Sequence, residues 1–361
     1  MGKDSDFYKN KSKSQKVKLR ELIGRLPKCA ADYIYSKEMT TQPSTLVSYS
    51  YDLLVFFEFM KSNNPTFRNV EIKDIRYDVL SMITSDDIFE YQRYLELNID
   101  PEHPHENDKK AIARKMSPLR GMFHYHMLHK NIKEDPTQLV PLPRLKKDKN
   151  IIRMNNFEVQ AILNAVKNGN EQMSKRQRAA CQRTQLRDFA LLVLMLGTGI
   201  RVSECNGLDI TDVDLKANSF VVVRKGGGQD VLYFGDEIHE ALKSYIDSKD
   251  KEFGGRKSIV PQEGHEKALF LSIRGTRMSV DAIEQLVKKY SRMVVPNKKI
   301  TPHKLRSTYG TALYRETGDI RLVADVLGHE NINTTIEHYA AIEDEHKRQA
   351  VNAVDYNRRD I

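Results

Sequence analysis

Cysteine is scarce in this chain, and the few present form no pattern. Cys29, Cys181 and Cys205 are scattered and odd in number, so neither a disulfide framework nor a zinc cluster is indicated, and a reducing cytosol fits. No apolar run approaches the ~20 residues of a membrane span. The N-terminus is charged and lacks the apolar core of a signal peptide, so the expected location is the cytoplasm. No glycine-rich loop of the Walker type is present, which argues against a nucleoside triphosphate cofactor. Acidic residues are in deficit: 58 Lys and Arg stand against 49 Asp and Glu in 361 residues, for a net charge of +9 and a pI near 9.2. That balance points to a polyanionic partner, with nucleic acid the leading candidate. Metal ligands are also missing as a set. His103, His105, His124, His126 and His129 cluster in sequence, but positions 124 and 126 point to different faces of a helix and no Cys or carboxylate completes a site. A polar surface, open to DNA, is the better reading of them, and no metal is expected.

The length favours two domains. Residues 1–20 carry Lys3, Lys9, Lys11, Lys13, Lys16, Lys18 and Arg20 with no apolar period, and read as a flexible basic arm, either solvated or touching DNA. From 21 to 140 the pattern is helical. A weak helix covers 28–37, and a stronger one opens at Pro43, with Leu46, Leu53, Phe56, Phe57 and Met60 on one face. Ser85-Asp86-Asp87 caps another, and 109–130 is helical with a proline, Pro118, that should kink or restart it. No strand is evident before residue 135. Residues 141–153 combine prolines with Arg144, Lys146, Lys147, Lys149 and Arg153 and read as a linker between domains. Such a linker is either merely solvated or lies along a duplex, pairing with phosphates without reading sequence.

After the linker, 155–166 is a short helix, followed by a basic loop to about 184. Residues 191–196 are continuously apolar on a helix starting near Arg187 and stopped by Gly197-Thr198-Gly199, so that helix should be buried all round. Arg201 follows on rigid scaffold. Residues 220–224 and 230–234 read as a hairpin with Lys225 at its mobile tip, and 268–271 as a strand. Residues 301–339 then place His303 and Arg306 on one helical face, a Gly-His step at Gly328-His329, and a T-x-x-E start at Thr334 for a helix carrying Tyr339.

These residue types suit chemistry on a phosphodiester. Attack at phosphorus builds negative charge on the nonbridging oxygens and needs a nucleophile, donors for those oxygens and a proton for the leaving oxygen. Arg201 and Arg306 can supply bidentate forks that stay charged. Tyr339 is a nucleophile that needs a charged site and a base, for which His303 is the candidate, and Lys225 can reach the leaving oxygen as general acid.

TGIRVSECNGL, the lysine of VRKGGGQ, PHKLRSTYGT, LGHENINTT and the tyrosine of HYA together resemble the motif boxes of the tyrosine recombinase, or phage integrase, family. The resemblance covers roughly residues 150–345. It implies a mainly α fold with a small β hairpin or sheet (α+β). In it a helical, SAM-like core-binding domain (21–140) and a catalytic domain (154–345) form a C-shaped clamp on DNA, and residues 346–361 form a tail. It implies that Arg201, Lys225, His303, Arg306 and His329 surround the scissile phosphate, with Glu204 supporting them. Tyr339 would form a 3′-phosphotyrosyl bond and free a 5′-hydroxyl without cofactor or ATP. Double-stranded DNA recombination sites, the chain itself as a tetramer, and an accessory DNA-bending or directionality factor are the implied partners, in a bacterial, nucleoid-associated setting. The tail would dock either on its own domain or on a neighbouring protomer. One departure stands out: ten residues separate His329 from Tyr339 where the family commonly has nine, and an extra helical residue turns a side chain by about 100°. Tyr309 and Tyr314 fall inside the preceding helical box and Tyr356 near the terminus, so Tyr339 remains the nucleophile expected.

The resulting expectation is a site-specific recombinase of a mobile element. A Xer-like resolvase, a type IB topoisomerase and a non-catalytic DNA-binding relative are the alternatives. Lys115 and Arg120, on the proline-bearing helix, are candidates for groove or phosphate contact, with the linker cations.

Overall fold

The computed structural model describes residues 5–98, 105–144, 153–168, 175–249 and 259–329, and residues 331, 332, 335 and 336. It divides into two compact units, Asp6–Lys147 and Asp148–Ile361. Among the described residues it is mainly helical with one small three-stranded sheet, as the sequence led us to expect. No helix among them is long and apolar enough to cross a membrane.

The first unit contains α1 (Asp6–Ile23), α2 (Lys28–Lys37), α3 (Pro43–Asn63), α4 (Tyr77–Leu80), α5 (Ser85–Glu96) and α6 (Lys109–Leu128). Between the last two helices, a minimal antiparallel pair joins β1 (Leu97–Asn98) to β2 (His105–Glu106). The face of α3 picked out by its spacing is its buried face: Leu46, Leu53, Phe56, Phe57 and Met60 are all at most 1% exposed. Phe56 sits at the centre, edge-on to Phe57, Tyr91 and Phe123, an arrangement favoured by the ring quadrupoles. Thr84, one residue earlier than expected, caps α5. Its hydroxyl accepts from the Asp87 amide while the Asp87 carboxylate accepts from the Thr84 amide at 2.8 Å. α6 runs through Pro118 without restarting.

Two expectations are corrected in this unit. Residues 6–20 are not a flexible arm but most of α1, whose Leu19, Leu22 and Ile23 are buried. Lys, Gln, Arg and Glu are good helix formers, and burial at one end of the helix is enough to anchor it without an apolar period along its length. His126 is not on a polar surface. It is fully buried, with Nε2 2.8 Å from the Cys29 carbonyl and Nδ1 3.0 Å from Asn131 Nδ2, and burial lowers its pKa. An imidazole so held is neutral and packs as a core residue.

The second unit begins with α7 (Asn156–Asn168) and α8 (Lys175–Thr198), then α9 (Val202–Gly207). The antiparallel sheet follows, β3 (Val213–Asp214), β4 (Ser219–Val223) and β5 (Gln229–Tyr233), in that order. The register pairs buried Phe220 with buried Leu232. Then come α10 (Asp236–Ser248), α11 (Val280–Val294), α12 (Pro302–Thr317) and α13 (Ile320–Leu327). Residues Ala190 to Met195 of α8 are at most 3% exposed, and the helix is the axis of this core, packed against α7, α10 and α12. α8 starts twelve residues earlier than the expected Arg187, because its first turns are strong helix formers whose charge hides any apolar period. Residues 268–271 are buried but make no strand. Their β pairing is confined to the isolated bridges Asp209↔Ala268 and Leu271↔Arg277.

Candidate active site

The end of α8 is built for one close approach. Gly199 has φ +62°, and a Cβ there would lie 2.5 Å from the Tyr309 ring and 2.8 Å from Leu327, so only glycine fits. Its carbonyl accepts a 2.6 Å bond from Arg306 Nη1. Two residues on, Arg201 stands at the N-terminus of α9 in extended conformation. Its backbone amide donates to Glu204 Oε2 at 2.9 Å and its Nη1 to Glu204 Oε1 at 2.8 Å, while Nη2 donates to the Gly328 carbonyl at 2.7 Å. Glu204 is buried, so its charge is spent on orienting cations rather than on solvent.

α12 supplies the second arginine. Pro302 opens the helix at a position where a missing amide costs nothing. Arg306, in the following turn, is 4% exposed, and its Nη2 donates to the Leu327 carbonyl. His303 shares the helix and is solvent-accessible at its edge. Its pKa is lowered, first by partial burial and then by the charges of Lys304, Arg306 and Arg201.

α13 closes the site with a Schellman turn. Gly328 takes a left-handed conformation, the His329 amide reaches the Ala324 carbonyl at 2.9 Å, and the Gly328 amide reaches Asp325 at 2.7 Å. The turn leaves two successive carbonyls facing two arginines, Leu327 on Arg306 and Gly328 on Arg201. His329 follows directly, its Nδ1 2.7 Å from the hydroxyl of buried Thr335.

Between β4 and β5, Gly226 at φ +96° and Gly227 at +88° turn the hairpin, and Lys225 lies exposed at its tip. Arg224, beside it, is the more buried of the two. It is 12% exposed at the side chain and bonds to Glu204 at 3.3 Å, to Asp230 at 2.8 Å and to the Val326 carbonyl at 3.1 Å. Residue type and spacing do not mark Arg224 as part of the site. Its one signal is an arginine directly before a glycine turn with Asp230 across it.

Arg201, Lys225 and His329 line one open pocket of about 460 Å³, with Arg224, Asp230, Gly328 and Asn331. Arg306 does not line it but bonds to Leu327, next to Gly328 of the lining, and His303 precedes Arg306 by one turn of α12. The pocket is lined by three cationic side chains, of which Arg201 and Arg224 are held by Glu204 and by backbone carbonyls. Tyr339 lies outside the described residues, as do Lys146, Lys147 and Lys149. Of the other DNA-contact candidates, Lys115 is 3.8 Å from Asp52, Arg120 donates to the Thr137 carbonyl at 3.3 Å, and Arg144 is exposed. Among the described residues no group of three or more His, Cys, Asp or Glu could hold a metal ion. Burial pushes the Cys205 thiol to about 12, which leaves it inert.

Comparison with known proteins finds relatives over most of the chain. A family model described as the phage integrase family matches residues 153–346. A tyrosine recombinase XerC from Caldanaerobacter subterraneus subsp. tengcongensis is 30% identical over 329 residues, 88% of this chain and 83% of that protein. The XerC of Bacillus subtilis is 34% identical over 229 residues, 63% and 69% of the two chains. Among solved structures, the Tn1549 transposon integrase in complex with transposon right end DNA is similar in fold, with a TM-score of 0.61 at 18% identity, covering 89% of this chain and 98% of that one. The XerH recombinase bound to a palindromic difH substrate follows with a TM-score of 0.60 at 17% identity, over 86% and 80%.

Proposed function

Since the chain belongs to the phage integrase family of tyrosine recombinases, which cut and rejoin DNA, we propose that it acts through a covalent 3′-phosphotyrosine formed by Tyr339. The observation that carries this reading is the pair of arginines fixed by successive carbonyls of one turn, Arg201 in the pocket on Gly328 and buried Arg306 on Leu327, with Arg306 also on Gly199. In the forward step the Tyr339 phenolic oxygen attacks phosphorus and loses its proton to His303. The P–O5′ bond breaks, and Lys225 gives its proton to the departing O5′. Arg201 and Arg306 balance the charge gathering on the nonbridging oxygens, with His329 as a further donor. Rejoining reverses every transfer, with a 5′-hydroxyl from the partner strand as nucleophile, so the ester energy is kept and no ATP is consumed.

The alternative tyrosines are poorly suited. Tyr314 is 7% exposed, and Tyr309 packs beneath Gly199 with its pKa raised by burial. Double-stranded DNA sites are the substrate in this reading, with a tetramer of the chain as the working unit and an accessory DNA-bending or directionality factor as a further partner. Integration and excision of a mobile element is the biological role we propose. Xer-like resolution is the second reading, supported by the XerC names of relatives aligned over more than four-fifths of the chain. A nicked suicide duplex tests the chemistry. Wild type should trap a protein–DNA adduct, and Tyr339→Phe should bind the duplex yet form none; an adduct surviving in that variant moves the nucleophile elsewhere.

A further inference from the structure

The hairpin tip that carries Lys225 has little packing of its own. A Cβ placed at Gly226 or Gly228 would meet nothing within 4 Å, and Lys225 is exposed. A general acid on such a tip would sample many positions, and proton transfer needs one. The residue before it is fixed at every polar group that the structure assigns. The Arg224 amide donates to the Gly228 carbonyl at 2.7 Å and its carbonyl accepts from Gly227 at 3.0 Å, which closes the turn. Its guanidinium spans to Asp230 on β5, to Glu204 on α9 and to the Val326 carbonyl on α13. It also lies so close to Gly328 that a methyl there would come within 2.8 Å.

We infer that Arg224 is the positioning residue for Lys225, latching the hairpin to the carboxylate that orients Arg201 and to the helix end that presents His329. Arg224 and Lys225 are consecutive and line the same pocket, so fixing the backbone and guanidinium of Arg224 fixes the point from which Lys225 reaches into it. Glu204 thereby links two functions: one carboxylate sets the arginine that binds the phosphate and, through Arg224, the lysine that protonates the leaving oxygen. This inference rests on the proposed general-acid role of Lys225.

The test compares single-turnover cleavage of an ordinary duplex with that of one carrying sulfur at the 5′-bridging position of the scissile phosphate. A thiolate leaves without being protonated, so loss of the general acid is suppressed on the sulfur substrate. Lys225→Ala should cleave the oxygen substrate about 100-fold or more slowly and the sulfur substrate at close to the wild-type rate. Arg224→Ala should show the same pattern at about 10- to 100-fold, with DNA affinity unchanged, and Arg224→Ala/Lys225→Ala should be no slower than Lys225→Ala. Asp230→Asn, at a half-exposed carboxylate, loosens the latch without unfolding it and should give a deficit of about three- to tenfold, again confined to the oxygen substrate. If Arg224→Ala fails to fold, Asp230→Asn decides alone: equal slowing on both substrates, or none on either, overturns the inference. Suppression for Lys225→Ala but not for Arg224→Ala overturns it while leaving the general-acid reading intact. No suppression for Lys225→Ala sinks that reading and this inference together.

Discussion

Asp52 on α3 and Glu204 on α9 are both nearly buried carboxylates, with side chains 5% and 2% exposed, and each lies between two cations. Their cations differ. Arg114 and Lys115 reach Asp52 from α6 with side chains 53% and 22% exposed, so water solvates their other ends. Arg201 and Arg224 are 28% and 12% exposed, and they are also held by the Gly328 and Val326 carbonyls and by Asp230. The first arrangement clips two helices together. The second leaves no slack, so whatever moves Glu204 moves the pocket. A buried charge network that also fixes its cations on the far side is the mark of a site rather than of a seam.

The largest effect should separate the arginines of the two units. Arg306→Ala removes a charge that the proposed mechanism sets against the reacting phosphate, and it takes the donors from the Gly199 and Leu327 carbonyls. Cleavage of bound DNA should fall by about 10²–10³. Arg114→Ala, at the exposed clip, should leave that rate within about twofold. Single-turnover adduct formation measures both, and a similar loss in the two variants would erase the distinction.

The same substitution at the two carboxylates comes next. Burial raises the pKa of Asp52, outweighing the lowering by its hydrogen bond to Arg114 and by the charges of Arg114 and Lys115. A folded pKa above the unfolded value means the ionised form costs stability as pH rises through the folded pKa, so Asp52→Asn should change stability at neutral pH by about 1 kcal/mol or less. Glu204→Gln removes the counter-charge between two tightly held arginines. It should cost about 2–4 kcal/mol and slow cleavage about tenfold or more. Chemical denaturation with parallel cleavage assays checks the pair, and equal stability losses would contradict the comparison.

Legibility in the sequence divides along the same line. The α3 stripe, the all-round burial of α8 and the hairpin could be read because apolar spacing and glycine turns are local signals. Arg201, Lys225 and His329 were marked by residue type and order, and the structure brings them to one pocket. What could not be read was the work of backbone carbonyls, since any residue has one and only the fold aims it. Arg224 is as hard to read, because its partners, the carboxylates of Glu204 and Asp230 and the carbonyl of Val326, come together only in the fold. α1 and the start of α8 were hidden by charge, which masks helix-forming residues when periodicity is the criterion.

Gly328 offers a smaller effect of backbone origin. Its left-handed conformation and its closeness to Arg224 both exclude a Cβ. Gly328→Ala should cost about 1–2 kcal/mol in strain and displacement and slow cleavage several-fold. Gly318 ends α12 in the same conformation with open space around it. Gly318→Ala should therefore lose about 1 kcal/mol of stability with cleavage unchanged. If both variants cleave alike, the turn at 328 is only a helix stop.

The smallest effect is on pH, and it contrasts two histidines. Burial lowers the pKa of His126 in the first unit, against the raising influence of its bond to Cys29 and of Asp32. Burial also lowers that of His303 in the second, where Lys304, Arg306 and Arg201 add to the shift. In both cases the unfolded chain binds more protons than the folded one at pH values just below 6.5, so stability declines as pH falls through that value and levels off below the folded pKa. The slope is at most about 1.4 kcal/mol per pH unit for each group. Stability alone therefore cannot tell them apart, but kinetics can. A base that titrates low stays competent in mild acid, so the acidic limb of kcat/KM, which reports the free enzyme, should lie below 6.5. His303→Gln should remove that limb, and His126→Gln should leave it in place while flattening the acid loss of stability. In the DNA-bound enzyme the negative charge of the phosphodiester beside His303 opposes the three cations, so the limb in kcat should sit higher than that in kcat/KM. A kcat/KM limb above 6.5 that persists in His303→Gln would assign the base to another group, and would leave the cations around His303 serving the phosphate alone.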